Sequence, residues 1–165
     1  MCYMNMQLLI QERFGMSERI EWRLAAFNDL SVVQLHDLLQ LRSEVFVVEQ
    51  QCIFQDIDGA DPLAMHLLGY QDGQLLAYAR CFPAGVKFTE ASIGRVLTRR
   101  TARGTGLGHL LVKQAMASVC TQWGTQAIRI GAQAQLAPFY GAHGVDMGRA
   151  YVEDGIDHLE MLWHP

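Results

Sequence analysis

Six residues near the middle of the chain, Arg103-Gly104-Thr105-Gly106-Leu107-Gly108, have the types and spacing to hold an anion. They follow a short apolar segment, residues 93–98, which reads as a buried strand. They open a segment in which Leu107, Leu110, Leu111, Ala115, Val119 and Cys120 fall mostly at helical spacing, giving one buried face. The first-turn N–H groups of a helix have no partner inside it, and the helix dipole places partial positive charge there. Glycines let the main chain approach an anion closely and adopt conformations closed to other residues. Arg103 adds a full charge at the mouth of the turn. The chemistry indicated is phosphate binding, although a strand–turn–helix whose glycines only permit close packing has the same local pattern. Two familiar forms of phosphate turn fail on spacing. No Gly-Lys-Ser/Thr triplet completes a P-loop, and the place of the third glycine of a dinucleotide fingerprint holds His109.

A second group of polar residues lies upstream. The stretch 50–62 carries Asp56, Asp58 and Asp61 and exceeds the usual connection length, as functional loops often do. Asp56-x-Asp58-Gly59-x-Asp61 looks like a fragment of a calcium loop, but the EF-hand order and the distal Glu are missing. The four cysteines show neither close pairing nor metal-ligand spacing, and the six histidines include no His-Glu-x-x-His, so no metal is expected. The cysteines read as reduced thiols of a cytoplasmic protein. No Gly-x-Ser-x-Gly is present to carry a hydrolase. A net charge of −4 without a basic run argues against nucleic acid or an anionic membrane as partner. It suits a cationic substrate. No apolar run reaches transmembrane length.

These residues need elements to position them. Ile20, Trp22, Leu24 and Ala26 alternate as a first strand. Ser31 with Gln34 makes a capping box, and apolar residues at helical spacing carry the first helix to about Glu49. Residues 66–70 and 75–82 form a hairpin around an Asp-Gly turn, and residues 93–98 are the central strand. The long helix stops at Gly124. A short strand at 127–131, a short helix from Leu136 ended by glycine, and a terminal hairpin around Asp154-Gly155 complete the order. The length suits one domain. Residues 1–15 lack the features of a signal peptide, and Met16 is a plausible second start. Residues 1–19 are therefore expected to be an extension and residues 20–165 the domain.

Arg-x-x-Gly-x-Gly, five residues after a strand ending at Thr98, resembles the pyrophosphate-binding motif of the GNAT superfamily of acyl-CoA N-acyltransferases. Phe139-Tyr140-x-x-x-Gly144-Val145 resembles that family's second motif, and the element order matches from about Ile20 onward. A narrower resemblance, to the ElaA-like branch, rests on Leu41-Arg42-x-x-Val45-Phe46-Val47-Val48-Glu49-Gln50, on the aspartate-rich loop, and on Ile93-Gly94-Arg95-Val96. It rests also on Gly131-Ala132-Gln133-Ala134 and Glu153-Asp154-Gly155-Ile156-x-His158.

The resemblance implies an α+β fold with a mixed central sheet flanked by helices and a strand pair splayed where acyl-CoA binds. It implies an acetyl-CoA-dependent N-acetyltransferase acting on a primary amine by direct attack in a ternary complex. The amides of Arg103, Gly104, Thr105, Gly106, Leu107 and Gly108, with His109 beside them, would cradle the pyrophosphate. The strand edge of Val96, Leu97 and Thr98 would pair with the pantetheine arm, within reach of Gln133. Tyr140 would contact the cofactor and act as general acid, since a phenol stays protonated at neutral pH; packing as half of an aromatic pair is its other reading. His66 is the candidate base, with a structural role as the alternative. Glu49, Asp56, Asp58 and Asp61 would bind the ammonium group or relay its proton, unless they only cap and solvate a loop. Arg42 and Arg95 fit either ligand contacts or internal ion pairs. Cys81 and Cys120 should pack. The competing function is an acyl-CoA-binding regulatory or sensor domain without turnover. A homodimer through the terminal strands is compatible with this fold.

Overall fold

The computed structural model describes residues 19–165. Apart from Arg19, the expected extension lies outside the described residues. The elements follow in the order β1 (Glu21–Ala26), α1 (Val32–Arg42), β2 (Met65–Gln71), β3 (Gln74–Phe82), β4 (Ala91–Thr98), α2 (Leu107–Trp123), β5 (Ile128–Gln133), α3 (Ala137–Gly141), β6 (Val145–Glu153) and β7 (Ile156–Trp163). The strands form one seven-stranded sheet in the order β1-β2-β3-β4-β5-β7-β6. Every neighbouring pair is antiparallel except β4–β5. Parallel neighbours require a crossover, and α2 supplies it. This is the mixed α+β architecture expected.

Local chemistry sets the ends of the elements. The Ser31 hydroxyl accepts from the Gln34 N–H at 3.1 Å while the Gln34 side chain accepts from the Ser31 N–H at 3.0 Å, closing a reciprocal cap on α1. Asp72-Gly73 and Asp154-Gly155 have positive φ at both positions, as the tight turns of β2–β3 and β6–β7 require. The first helix reaches Glu49 as expected, but its last part, Ser43–Glu49, is wound as a π-helix. That wider winding had no signature in the apolar spacing.

The sheet is covered on both faces. Under α2, Leu107, Leu111, Val112, Ala115 and Val119 meet Ile93 of β4 with Ile128 and Ile130 of β5. Against the other face, Leu38, Leu41 and Val45 pack on Leu68, Leu75, Tyr78 and Leu97. Full burial of each large aliphatic side chain is worth about 1.5–3 kcal/mol, so these two cores hold the sheet between its helices. Cys81 is buried in the first core, where desolvation pushes its thiol up to about 12, and Cys120 is partly buried at its rim.

The central strand has two departures from regularity. Tyr78 stands opposite Leu97 and Arg80 opposite Gly94, so Ala79 faces both Arg95 and Val96 across a bulge. Arg95 has φ +51° at that point, a left-handed conformation costly for a side chain of its size. The second departure is that β4 and β5 pair only over Ala91–Ile128, Ser92–Arg129 and Ile93–Ile130. Beyond Ile93 they part, leaving residues 94–98 with no partner on the β5 side.

Candidate functional site

The gap between the diverging strands opens into a cleft of about 450 Å³. One wall is β4, with Arg95, Val96, Leu97 and Thr98. The opposite wall is the end of β5 with α3, contributing Gly131, Gln133, Phe139 and Tyr140. Phe46 and Glu49 from the π-helical segment, and Gln50, Cys52 and Phe54 from the following loop, close one side. The β6–β7 hairpin brings in Glu153, Asp154 and His158.

At one end lies the glycine-rich turn. Gly104 and Gly106 have φ of +78° and +85°, and a Cβ on either would meet no protein atom within 4 Å. The two residues are glycine because of the main-chain conformation, with open space before them. Among the described residues, no protein acceptor takes the N–H of Gly104, Thr105, Gly106, Leu107 or Gly108; the first N–H of the helix with a partner is that of His109, bonded to Gly106. Five adjacent unpaired amides at the positive end of a 17-residue helix make a cradle suited to an anion. The Leu107 side chain is buried in the core and fixes the helix start, so only its main chain faces the cradle. His109 is exposed; its Nδ1 lies 2.9 Å from His143 Nε2, and its ring packs 4.6 Å from Phe139.

Arg103 sits at the mouth, engaged with protein. Its guanidinium forms a two-pronged pair with Glu49 and donates to the Thr98 carbonyl at 3.1 Å. That hydrogen-bonded pair holds the Glu49 carboxyl below its usual range. Gln133 bridges the opening to Gln50 at 3.0 Å and accepts from Gln135 at 2.8 Å. Tyr140 is buried on the far wall, edge-on to Phe139. Burial pushes its phenol up, so the proton stays on it throughout the neutral range. Its hydroxyl has no partner among the side-chain hydrogen bonds of the described residues.

The aspartate-rich loop and His66 lie elsewhere. Arg42, fully buried, donates from Nε to Asp56 at 2.7 Å, from Nη1 to Asp61 at 2.7 Å and from Nη2 to the Asp56 carbonyl at 2.8 Å. Arg80 holds Asp58 through both terminal nitrogens at 2.8 Å and reaches Asp61 at 2.8 Å. Arg95 takes the second oxygen of Asp56 at 2.7 Å, and its guanidinium lies 5.8 Å from the Phe46 ring centre and 5.7 Å from that of Phe54. Three arginines and three aspartates thus staple the loop to α1, β3 and β4. Asp58 is held well below the carboxylate range by the Arg80 hydrogen bond. For Asp61, burial works upward, but Arg80 and Arg42 outweigh it and the net shift is downward.

The acceptor role expected for Asp56, Asp58 and Asp61 is therefore replaced by a structural one. None of the three lines the cleft, and their oxygens are committed to guanidinium groups. Of the expected substrate carboxylates, Glu49 alone lines the cleft, and it is paired with Arg103.

His66 is likewise removed from the cleft. It is fully buried between the Tyr78 hydroxyl, 2.8 Å from Nδ1, and the Asp61 carbonyl, 3.0 Å from Nε2. A carbonyl only accepts, so Nε2 carries the hydrogen and Nδ1 accepts from Tyr78. Both nitrogens are used and no solvent reaches the ring, which leaves no lone pair for a substrate proton. Desolvation lowers its pKa, assisted by Arg42 and Arg80. A depressed folded-state value makes His66 stabilising above its unfolded pKa of about 6.5, and that contribution is lost as pH falls from there through the folded pKa. Urea titrations at pH 7 and pH 5.5 should show a loss of stability approaching 1.4 kcal/mol per pH unit from this one group. His66→Gln should lack that part of the slope.

The sequence assigned no role to Phe54, Cys52, Glu153, Asp154 or His158. The last three had a signal, an Asp-Gly turn, but their approach to the cleft depends on β7 pairing with β5.

Residues 29–164 match the family described as the acetyltransferase (GNAT) domain. Protein ElaA of Escherichia coli is 40% identical over 145 residues, covering 86% of this chain and 95% of that protein. The crystal structure of E. coli ElaA superimposes with a TM-score of 0.81 at 39% identity, covering 87% of this chain and 99% of that one. The crystal structure of an acyl-CoA N-acyltransferase from Pseudomonas aeruginosa matches with a TM-score of 0.83 at 39% identity over the same shares. With cradle, splayed strands and buried tyrosine in one cleft, and with these likenesses along most of its length, the chain belongs to the GNAT acetyltransferase family, in its ElaA-like branch.

Proposed function

We propose that the protein is an N-acetyltransferase that moves the acetyl group of acetyl-CoA to a primary amine by direct attack within a ternary complex. The observation that carries the reading is the run of five unpaired amides, Gly104 to Gly108, in a turn whose two ends, Arg103 and Gly108, line the same cleft as the unpaired edge of β4 and Tyr140. The cradle suits a pyrophosphate, which needs several converging donors and no bulk. The free edge, residues 94–98, suits the amides of a pantetheine arm, added as a short extra strand. Gln133 lies across from that edge. These groups would hold acetyl-CoA, and its thioester would supply an activated acetyl group. The Tyr140 hydroxyl, protonated and without a side-chain hydrogen-bond partner among the described residues, would give its proton to the departing sulfur.

Two measurements test this. Thermal unfolding with acetyl-CoA, against an ATP control, reads the cradle. A thiol-release assay with acetyl-CoA reads turnover, with putrescine, glucosamine and a peptide bearing a free N-terminus and a lysine as acceptors. A shift with acetyl-CoA but no thiol release above background for any acceptor would reject the enzyme reading in favour of a binding or sensor domain. Tyr140→Phe should lower kcat by about 100-fold, in the range of a lost general acid, while the acetyl-CoA shift is unchanged. An unaltered rate would remove Tyr140 from the chemistry.

A further inference from the structure

We infer that His158 is the base that takes the proton of the incoming ammonium group, an assignment that rests on the acetyltransferase reading above. Among the described residues, His158 is the only histidine that lines the cleft. His109 and His143 are bonded to each other, His36 pairs with Asp37 on the surface, and His66 has both nitrogens engaged.

The tautomer of His158 follows from its partner. Its Nδ1 lies 2.8 Å from the Ile156 carbonyl, which can only accept, so Nδ1 carries the hydrogen of the neutral ring. Nε2 then holds the lone pair, and no protein donor meets it among the described residues. The ring is steadied on its other side by Tyr151, 5.3 Å away between centres. A half-buried imidazole with one nitrogen pinned and the other free is the arrangement a proton acceptor needs.

Register places this nitrogen on the right face. His158 stands opposite Gln133, whereas the next residue, Leu159, stands opposite Ala132 and packs in the core under α2. Since side chains alternate, His158 lies on the face away from α2, the side covered by α1 and its π-helical extension. An amine entering from that face would meet the acetyl group with His158 beside it and Tyr140 on α3. Carboxylates offer no equal alternative: Glu49 is held by Arg103, and a carboxylate is a far weaker base than imidazole. The other charged groups lining the cleft with His158 are Glu153 and Asp154 from the β6–β7 hairpin and Arg95 of β4, whose guanidinium is paired with Asp56 outside the cleft. Glu160, on the same face of β7, is held by Arg129 at 3.5 Å.

The proton and electron count closes. The ammonium group gives one proton to His158 Nε2, and the freed amine nitrogen bonds to the thioester carbonyl carbon. The carbon–sulfur bond breaks with its electron pair on sulfur, which takes the Tyr140 proton. Tyr140 regains a proton from the nitrogen that becomes the amide. His158 releases its proton to water, so one proton per turnover appears in solution.

His158→Asn keeps a donor for the Ile156 carbonyl and removes the base; His158→Gln is the second variant. With whichever of the three probe acceptors wild type turns over fastest, kcat/KM at pH 7 should fall about 100-fold in both variants, within the usual range for a lost general base. The deficit should shrink toward pH 9.5, where more of the amine is already unprotonated. The acetyl-CoA thermal shift should be that of wild type, and ¹⁵N-resolved spectra of the neutral ring should place the hydrogen on Nδ1. Variants as fast as wild type across the pH range, or a deficit that does not vary with pH, would overturn the assignment. So would hydrogen found on Nε2. If wild type binds acetyl-CoA but turns over none of the acceptors, the parent reading falls first and takes this one with it, a result separable from failure of His158 alone.

Discussion

Arg42→Met is expected to lower the unfolding free energy by about 3–5 kcal/mol, the cost of removing one partner from a buried ionic network. Arg42 has no exposed surface and makes three hydrogen bonds of 2.7 to 2.8 Å, two of them to carboxylates. Met fills much of the same volume, so the loss comes from charge rather than from a cavity. Asp56 would keep Arg95, and Asp61 would keep Arg80, but the three carboxylates would be left with two guanidiniums and only the exposed Lys87 ammonium at Asp58 besides, in a site that water barely reaches. Urea denaturation at pH 7 reads the effect. Adding Asp56→Asn should recover part of the loss, because the surplus charge is gone, and a loss below about 1 kcal/mol in the single variant would mean that water hydrates the network. Acid should act on the same network. The Asp58 and Asp61 pKa values are lowered, so their stabilisation is complete above the unfolded value near 3.9 and drains away as pH falls through the folded values. The loop that the network anchors carries Cys52 and Phe54 into the cleft, so its loosening should also weaken acetyl-CoA binding.

Gly106→Glu is expected to abolish the stabilisation conferred by acetyl-CoA. For wild type, ligand at a hundredfold over Kd should add about 2.7 kcal/mol to stability. A glutamate at this position sets a carboxylate before the unpaired amides, where it competes with the pyrophosphate and repels it. It must also accept φ +85°, which costs a non-glycine residue about 1–2 kcal/mol, while its Cβ would meet no protein atom within 4 Å. The ligand-free variant should therefore melt a few degrees below wild type and remain folded. Differential scanning fluorimetry with and without acetyl-CoA separates the two effects. A normal ligand shift in the variant would exclude this turn as the pyrophosphate site.

Much of the molecule was legible in the chain because it depends on near neighbours. The capping box of Ser31 and Gln34, the Asp-Gly turns, and the glycines bounding α2 act over a few residues, and each appears where its local chemistry puts it. The glycine-rich turn after a strand has the same character, since its amides are unpaired by virtue of being the first turn of a helix. What misled was the meaning of isolated polar residues. Asp56, Asp58 and Asp61 look like solvated or substrate-facing acids, because nothing in their vicinity shows that Arg42, Arg80 and Arg95 will converge on them from three separate elements. His66 suffers the same fate, its partners Tyr78 and the Asp61 carbonyl being brought in by the β2–β3 pairing and the returning loop.

The element order and the glycine-rich start of α2 could be read from the chain, since helix termini, turn conformations and apolar periodicity are local properties. Tertiary structure alone decided which titratable groups face the cleft. It closed the aspartates into an arginine network, enclosed His66, and set Arg103 against Glu49. It also brought His158 to the cleft from a hairpin near the chain's end, through pairing of β7 with β5. The physical reason is that side-chain electrostatics act across space and are settled by burial, and burial is known only once the sheet is assembled.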